Sequence, residues 1–491
     1  MSERVSRPDG VPPGGDRRTI WMALAGIALF FGVLALPAPE GMPPAAWGTA
    51  AIALLMVFWW MTEAVPVAMT ALLPLILFPL LGIAAVEGVA RPYGDPIIFL
   101  FLGGLLLGLA MQKWELHRRI ALRIVSWVGT RPANLVLGFM AATAFISMWV
   151  SNTATAAMML PVSLSLAVLL VGDPAPGQPA ARRRTDFALA LMLGVAFAAS
   201  IGGMATLVGT PPNALLAGFM AQHYHVEIGF AQWMAVGVPV ASLLLLGAWV
   251  ILTRIVFRVP SEPPAGLPER LAAEMATLAP MTRPEKLVGL IFLAAAGAWL
   301  FRPMLADYVP GLSDATIAVA AGLLLFLVPS GRGGFLMDWA TASRLPWEVL
   351  VLFGGGLSLA AGITATGLSS WMGEALLALD TLPKVVLVLG MILAAVAFTE
   401  VASNTATAAA LLPVVASVSD GLELNPFFLT VPVVLAASCG FMLPVSTPPN
   451  ALFYGSGYFT VAQMARAGFL IDVLGAALIL GASYSLVGVF F

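Results

Sequence analysis

The heptad Ser151-Asn152-Thr153-Ala154-Thr155-Ala156-Ala157, with Pro161 ten residues after its start, returns as Ser403-Asn404-Thr405-Ala406-Thr407-Ala408-Ala409 with Pro413 in the same place. Each copy is followed by a second matched element, Thr210-Pro211-Pro212-Asn213 and Thr447-Pro448-Pro449-Asn450. Hydroxyl and carboxamide oxygens are ligands for a hard cation, and Ser147, Ser151 and Asn152 in the first copy and Thr399 and Asn404 in the second offer them. Ser147 to Ser151 and Thr399 to Ser403 are each four residues apart, so each pair shares one helical face. Proline removes an amide donor and drives the residue before it extended, so both Thr-Pro-Pro stretches should unwind their helices and free carbonyls for the same cations. A helix restarting after Ser-Asn-Thr points unpaired N–H groups and a positive dipole end at an anion. Asn152, Thr153, Asn404 and Thr405 add side-chain donors suited to carboxylate oxygens.

No lysine or arginine lies between residues 132 and 181, 185 and 253, or 385 and 465. A dianion bound here is therefore balanced by helix termini and by cations that arrive with it, which favours sodium coupling over exchange on a fixed basic side chain. One Ser-Asn-Thr in an apolar helix is ordinary small-residue packing, and one Pro-Pro is a kink. Duplication of both in one order points instead to a joint site. Glu63 and Glu400 are carboxylates at membrane depth by position. For Glu63 a snorkelling span edge stands beside a functional role, and for Glu400 a structural hydrogen bond stands beside a proton or cation role. His117, His223 and His225 are scattered at expected span ends and read as solvated; the lone Cys439 excludes a disulfide framework within the chain and a cysteine metal cluster.

The elements that must position these residues are membrane helices. Of 491 residues 60% are hydrophobic and 10% charged, and apolar runs of about 20 residues recur throughout. Spans are expected near 20–38, 46–62, 66–83, 95–112, 187–220 and 232–256, then near 286–302, 313–328, 347–366, 427–459 and 466–490. The 187–220 and 427–459 spans are broken at the Thr-Pro-Pro stretches. The Ser-Asn-Thr segments, 133–170 and 384–418, are too short on either side of the motif for two full spans and read as re-entrant hairpins. Residues 113–127 alternate basic and apolar side chains, the pattern of an interfacial helix, and 367–380 is its candidate counterpart. Ser151 to Ser403 and Asn152 to Asn404 are the same 252-residue step, and an odd number of crossings between them inverts the second repeat. With the N-terminus cytoplasmic, the basic loops at 113–123, 182–184, 254–286 and 332–344 all fall inside. Inverted repeats with discontinuous helices mark a secondary transporter whose site lies where the breaks meet.

The paired Ser-Asn-Thr motifs, Phe398-Thr399-Glu400 ahead of the second, the Thr-Pro-Pro-Asn copies and Trp60-Met61-Thr62-Glu63-Ala64-Val65-Pro66 together resemble the divalent anion/sodium symporter family over about residues 20–490. The resemblance implies an all-α polytopic homodimer, each protomer with about eleven transmembrane helices and two re-entrant hairpins in two inverted repeats, working as an elevator. It implies a cytoplasmic tail at 1–19, a scaffold part at 20–128 including the interfacial arm, a transport part at 129–257, a cytoplasmic loop at 258–284, a second scaffold part at 285–380 and a second transport part at 381–491. One sodium site maps onto Ser147, Ser151, Asn152 and the Gly209 carbonyl, and the other onto Thr399, Asn404 and the Ser446 carbonyl. Substrate carboxylates meet Asn152, Thr153, Thr210, Asn404, Thr405 and Thr447.

The expectation is a sodium-coupled importer of C4-dicarboxylates such as succinate, malate and fumarate, in the inner membrane amid lipid, with the C-terminus periplasmic or extracellular and no nucleic-acid partner. The alternatives are a sodium-independent dicarboxylate exchanger or a tricarboxylate or sulfate carrier of the same fold. An enzyme would need a catalytic His, Cys or acidic cluster, which the sequence does not offer.

Overall fold

A computed structural model describes residues 15–129, 131–171, 186–259, 280–375 and 381–491. The Arg182–Arg184 cluster and much of the 258–284 loop lie outside the described residues. Helix is the form that satisfies every backbone N–H and C=O inside one segment, which hydrocarbon demands. Among the described residues it is nearly the whole structure, with one isolated bridge between Pro329 and Phe335.

The helices of the first half are α1 (Gly15–Ala35), α2 (Pro44–Thr62), α3 (Leu73–Leu80), α4 (Pro96–Lys113), α5 (Leu116–Val128), α6 (Pro132–Ser147), α7 (Asn152–Val171), α8 (Asp186–Gly203), α9 (Pro211–His223) and α10 (Phe230–Val250). Those of the second are α11 (Arg283–Leu300), α12 (Asp314–Leu327), α13 (Trp347–Ala365), α14 (Leu368–Ala375), α15 (Lys384–Val401), α16 (Asn404–Gly421), α17 (Phe427–Ala437), α18 (Pro448–Gly455) and α19 (Val461–Ala482). Among the described residues eight helical stretches are long and apolar enough to cross a membrane, and Val67–Leu80, α6, α12 and α17 are shorter apolar helices. The segment expected as one span at 66–83 is instead a single turn, Val67–Thr70, followed by α3. Pro74 stands in the first turn of α3, where its missing N–H costs nothing, and Pro79 lies within the same helix.

The repeats interlock. Helix α4 packs against α12 of the other half, with Gly103 placed where any Cβ would meet the Ala318 backbone. In the mirror arrangement α13 packs on the Val67–Thr70 turn and the 91–94 turn of the first half, with Gly355 against the Ala71 backbone. The expected interfacial segment is α5, whose Leu116, Ala121, Leu122 and Val125 are buried. Arg119, between Leu116 and Leu122 on the helix surface, pairs with Glu285 of α11 at 2.7 Å. Helix α8 is the innermost, 94% buried against 17% for the N-terminal helix, so the first broken helix is enclosed by protein where α1 faces outward.

Candidate cation and substrate site

The Ser-Asn-Thr motifs each start a helix. Helix α6 ends at Ser147 and α7 begins at Asn152; Ser151 Oγ accepts from the Ala154 N–H at 3.3 Å, capping the new helix. Ser403 does the same for α16, accepting from the Ala406 N–H at 3.2 Å. A serine at the N-cap satisfies one of the first-turn donors and leaves the rest of that turn's amides available to an anion.

The breaks lie upstream of the prolines. Residues 204–210 and 438–447 are unwound, and Pro211 and Pro448 open α9 and α18, positions where a missing N–H costs nothing. The freed carbonyls are gathered by the asparagine that ends each Thr-Pro-Pro-Asn. Asn213 Nδ2 donates to the carbonyls of Gly203 (3.2 Å), Met204 (3.2 Å) and Thr206 (2.8 Å). Asn450 Nδ2 donates to the carbonyls of Gly440 (2.9 Å) and Leu443 (3.2 Å) and to Ser446 Oγ (3.1 Å).

Against each break stands a cluster of oxygens. The Ser147 hydroxyl donates to the Ala199 carbonyl at 2.6 Å and to Asn152 Oδ1 at 2.8 Å. The same end of the Asn152 carboxamide lies 3.0 Å from the Ala199 carbonyl and 3.2 Å from the Gly209 carbonyl. With its oxygen there, four oxygens converge around one hydroxyl proton; with its nitrogen there, the amide donates to all three neighbours. In the second half the Thr399 hydroxyl donates to the Ala437 carbonyl at 2.6 Å and to Asn404 Oδ1 at 2.7 Å.

The structure thus brings together Ser147, Asn152 and Gly209 in one cluster and Thr399 and Asn404 in the other, while the Ser151 hydroxyl is engaged as a helix cap. The Ser446 hydroxyl bonds the Gly440 and Leu443 carbonyls at 2.9 and 2.6 Å, inside the second break. Of the expected substrate contacts, Thr153 is exposed, Asn152, Asn404 and Thr405 are half-buried, and Thr210 and Thr447 are buried. Thr447 Oγ1 accepts from the Asn450 N–H at 3.4 Å. The two halves meet at these elements: α7 packs on α18 and, by the same exchange, α16 packs on α9. Orphan oxygens repeat as well, with Thr155 and Thr407 Oγ1, Ser200 and Ser438 Oγ, and Asn213 and Asn450 Oδ1 all buried without a hydrogen-bond partner.

The Ala199 and Ala437 carbonyls were not foreseen, since a backbone ligand leaves no mark on the residue type; the duplicated asparagines 213 and 450 were a visible signal whose role was missed. Gly203 was missed too: a Cβ there would sit 2.5 Å from Asn152 Oδ1. Glu63 ends α2 exposed in the left-handed region at φ 48°, as a span-edge residue does. His225 is exposed as expected, but the other two histidines are engaged. His117 meets the Met111 carbonyl at 3.1 Å, and His223 stacks on Phe219 and meets Thr364 Oγ1 at 2.6 Å.

Discontinuous helices in two interlocked copies, each facing a half-helix that starts beside an oxygen cluster, define a secondary transporter. Residues 17–489 match the sodium:sulfate symporter transmembrane region, and the chain belongs to that family. It is 39% identical over 470 residues to the sodium-dependent dicarboxylate transporter SdcS of Staphylococcus saprophyticus, covering 94% of this chain and 90% of that protein. The SdcS of Staphylococcus aureus strain USA300 is likewise 39% identical over 466 residues, covering 93% of this chain and 89% of the relative. Among solved structures the fold resembles the YdaH transporter of Alcanivorax borkumensis (TM-score 0.55, 17% identity, 97% of this chain and 98% of that one). It also resembles MtrF of Neisseria gonorrhoeae (TM-score 0.57, 14% identity, 96% and 95% covered).

Proposed function

We propose that this protein imports C4-dicarboxylates of the succinate, malate and fumarate class together with sodium. The observation that carries the reading is the paired oxygen clusters, Ser147–Asn152–Ala199–Gly209 and Thr399–Asn404–Ala437, each at the start of a half-helix. Sodium in each cluster meets hydroxyl, carboxamide and carbonyl oxygens, and the Asn152 carboxamide turns its oxygen to the ion when sodium binds and its nitrogen to the carbonyls when sodium leaves. The first-turn amides of α7 and α16, with Thr153 and Thr405, hold the carboxylates, and Thr210 and Thr447 stand at the starts of α9 and α18 beyond them. Cation and substrate therefore share the Asn152 and Asn404 side chains and helix starts, which couples their binding. The names of the SdcS relatives agree with this substrate and this ion.

The remaining parts of the reading are architectural. The two Ser-Asn-Thr segments are re-entrant hairpins, and residues 129–257 and 381–491 move as a transport part against a scaffold of 20–128 and 285–380 within a homodimer. The membrane is the inner membrane, with the N-terminus cytoplasmic. Uptake of labelled succinate into proteoliposomes tests the function. Accumulation should require an inward sodium gradient, fail with potassium, and be blocked by unlabelled malate. Uptake indifferent to sodium but dependent on internal dicarboxylate would make the protein an exchanger, and block by sulfate or citrate in place of malate would move the substrate class.

A further inference from the structure

At one end of the molecule a band of polar contacts ties helices that carry the candidate site to helices that do not. Asp95 caps α4, its Oδ1 accepting from the Ile97 N–H at 2.9 Å, and its Oδ2 accepts from Gln222 Nε2 in the last turn of α9 at 2.8 Å. His223 Nδ1 lies 2.6 Å from Thr364 Oγ1 in the last turn of α13. Asp314, buried at the start of α12, accepts from the Phe230 N–H of α10 on Oδ2 at 2.9 Å and pairs through Oδ1 with Arg302 Nε at 3.2 Å. Phe230 also stacks on Trp299 of α11, ring centres 4.6 Å apart. Helix α9 is pressed close here: a Cβ on Gly218 would stand 2.8 Å from Ile97 Cγ2 and 3.1 Å from Leu357 Cδ1.

The bonds to Gln222, His223 and Phe230 each cross from the proposed transport part to the proposed scaffold. They sit at the helix ends away from the basic loops at 113–123 and 332–344, the end read as outside. The grip on α9 extends to the second half, because Tyr224 donates its hydroxyl to Asp420 Oδ1 at the end of α16 at 2.8 Å. The other repeat does not supply the same bond at the opposite end. Carrying the offsets that relate Gly103 to Gly354 and Thr210 to Thr447 onto this band puts Pro346 in the place of Asp95 and the buried Phe459 in the place of Gln222. Neither side chain can make the hydrogen bond.

A carrier that opens its site to each face in turn breaks contacts at one face as it makes them at the other. Polar contacts built into one repeat and not its copy therefore bias the resting state. Bonds to a carboxylate count most, whereas the exposed Glu227, 3.7 Å from Arg302, adds little. We propose that the Asp95–Gln222, Thr364–His223 and Asp314–Phe230 bonds form a latch that holds the outer face shut, so that the protein rests with its site closed to the outside and the latch must release before substrate enters. The latch rests on the transport-and-scaffold division and the orientation proposed above; it does not depend on which substrate or ion is carried.

The test reads opening directly. In a Cys439→Ser background, Ala217→Cys puts a thiol on α9 at a buried position in the recess that Asp95 and Arg302 also line, and a membrane-impermeant maleimide added outside reports how often that recess opens. Gln222→Ala with Thr364→Val removes two of the bonds and leaves Asp95 capping α4. Each lost bond should shift the closed-to-open ratio roughly fivefold, so labelling should quicken about tenfold or more and the half-saturating external succinate should fall. In the second arm, Asp95→Cys and Gln222→Cys in the same background are joined by a short reducible thiol-to-thiol reagent, which should stop uptake until the link is reduced. Labelling no faster in the loosened variant, or a cross-linked protein that transports at the unlinked rate, would overturn the latch and make the band a seam that never parts. Faster labelling in a protein that takes up no succinate with sodium would uphold the latch and remove the substrate reading instead.

Discussion

The two Ser-Asn-Thr turns are written in the same letters and sit in unlike surroundings. Trp149, two residues before Ser151, is 9% exposed, stacked with Phe230 and Trp299 at 5.9 and 6.5 Å and edge-on to Phe292 at 5.0 Å. Val401, two residues before Ser403, is 58% exposed. The first turn is clamped between α10 and α11 of different halves, and Val401 ahead of the second has no such clamp. Yet a few ångströms away the hydroxyl–carboxamide–carbonyl clusters of the two repeats are near copies, with Ser147 and Thr399 each spanning an asparagine and an alanine carbonyl. Local chemistry is thus carried by the repeat, and access to it by what the rest of the chain packs against each copy. A transporter built from inverted repeats needs that division, because one packing state cannot expose both entrances alike.

The comparison can be broken at its centre. Asn152→Ala and Asn404→Ala should each cut sodium-driven uptake by roughly tenfold to a hundredfold, the scale of losing contacts to charged ligands, while the purified proteins keep their melting temperature. Near-normal transport by one variant alone would end the equivalence of the clusters. The difference in access should appear in labelling by a membrane-impermeant maleimide. With Cys439 replaced by serine, Val401→Cys should react about tenfold faster or more than Trp149→Cys, and equal rates would show that the first turn is not clamped.

Glycines sharpen the same comparison. Gly203→Ala puts a methyl 2.5 Å from Asn152 Oδ1 and should displace the carboxamide, with a loss of uptake approaching that of Asn152→Ala. Gly440→Ala meets nothing nearer than Ser446 Cβ at 3.1 Å and should cost much less. The smallest effect belongs to Ser147→Ala and Thr399→Ala, which remove one ligand of several. Each should raise the half-saturating sodium concentration a few-fold with maximal uptake little changed, and an unmoved sodium curve for either removes that hydroxyl from its cluster.

Much of this site was legible in the residues themselves. Polar side chains reveal themselves by type, and their duplication distinguished Asn152, Asn404, Ser147 and Thr399 as candidates for the two clusters. The helix starts were legible for the same reason, since serine at an N-cap acts on residues two or three away, but they fall at Asn152 and Asn404 inside the motif rather than after it. The breaks were legible in position to within a few residues, but the direction was not: the prolines begin the second half-helices because that is where a missing donor is harmless.

What the sequence determined by itself was therefore local: an apolar helical chain, two copies of one motif, the oxygen-bearing side chains and the absence of basic ones among them. The tertiary structure decided everything that joins distant positions. It chose the Ala199 and Ala437 carbonyls as partners, because a carbonyl is the same in every residue and only packing aims it. It set Asn213 and Asn450 to gather the freed carbonyls of the breaks. It buried Trp149 and exposed Val401, and it set Glu400 against the Met442 and Leu443 N–H groups of the second break, since the cost of an acid without a partner in a buried site depends on what folding places opposite it.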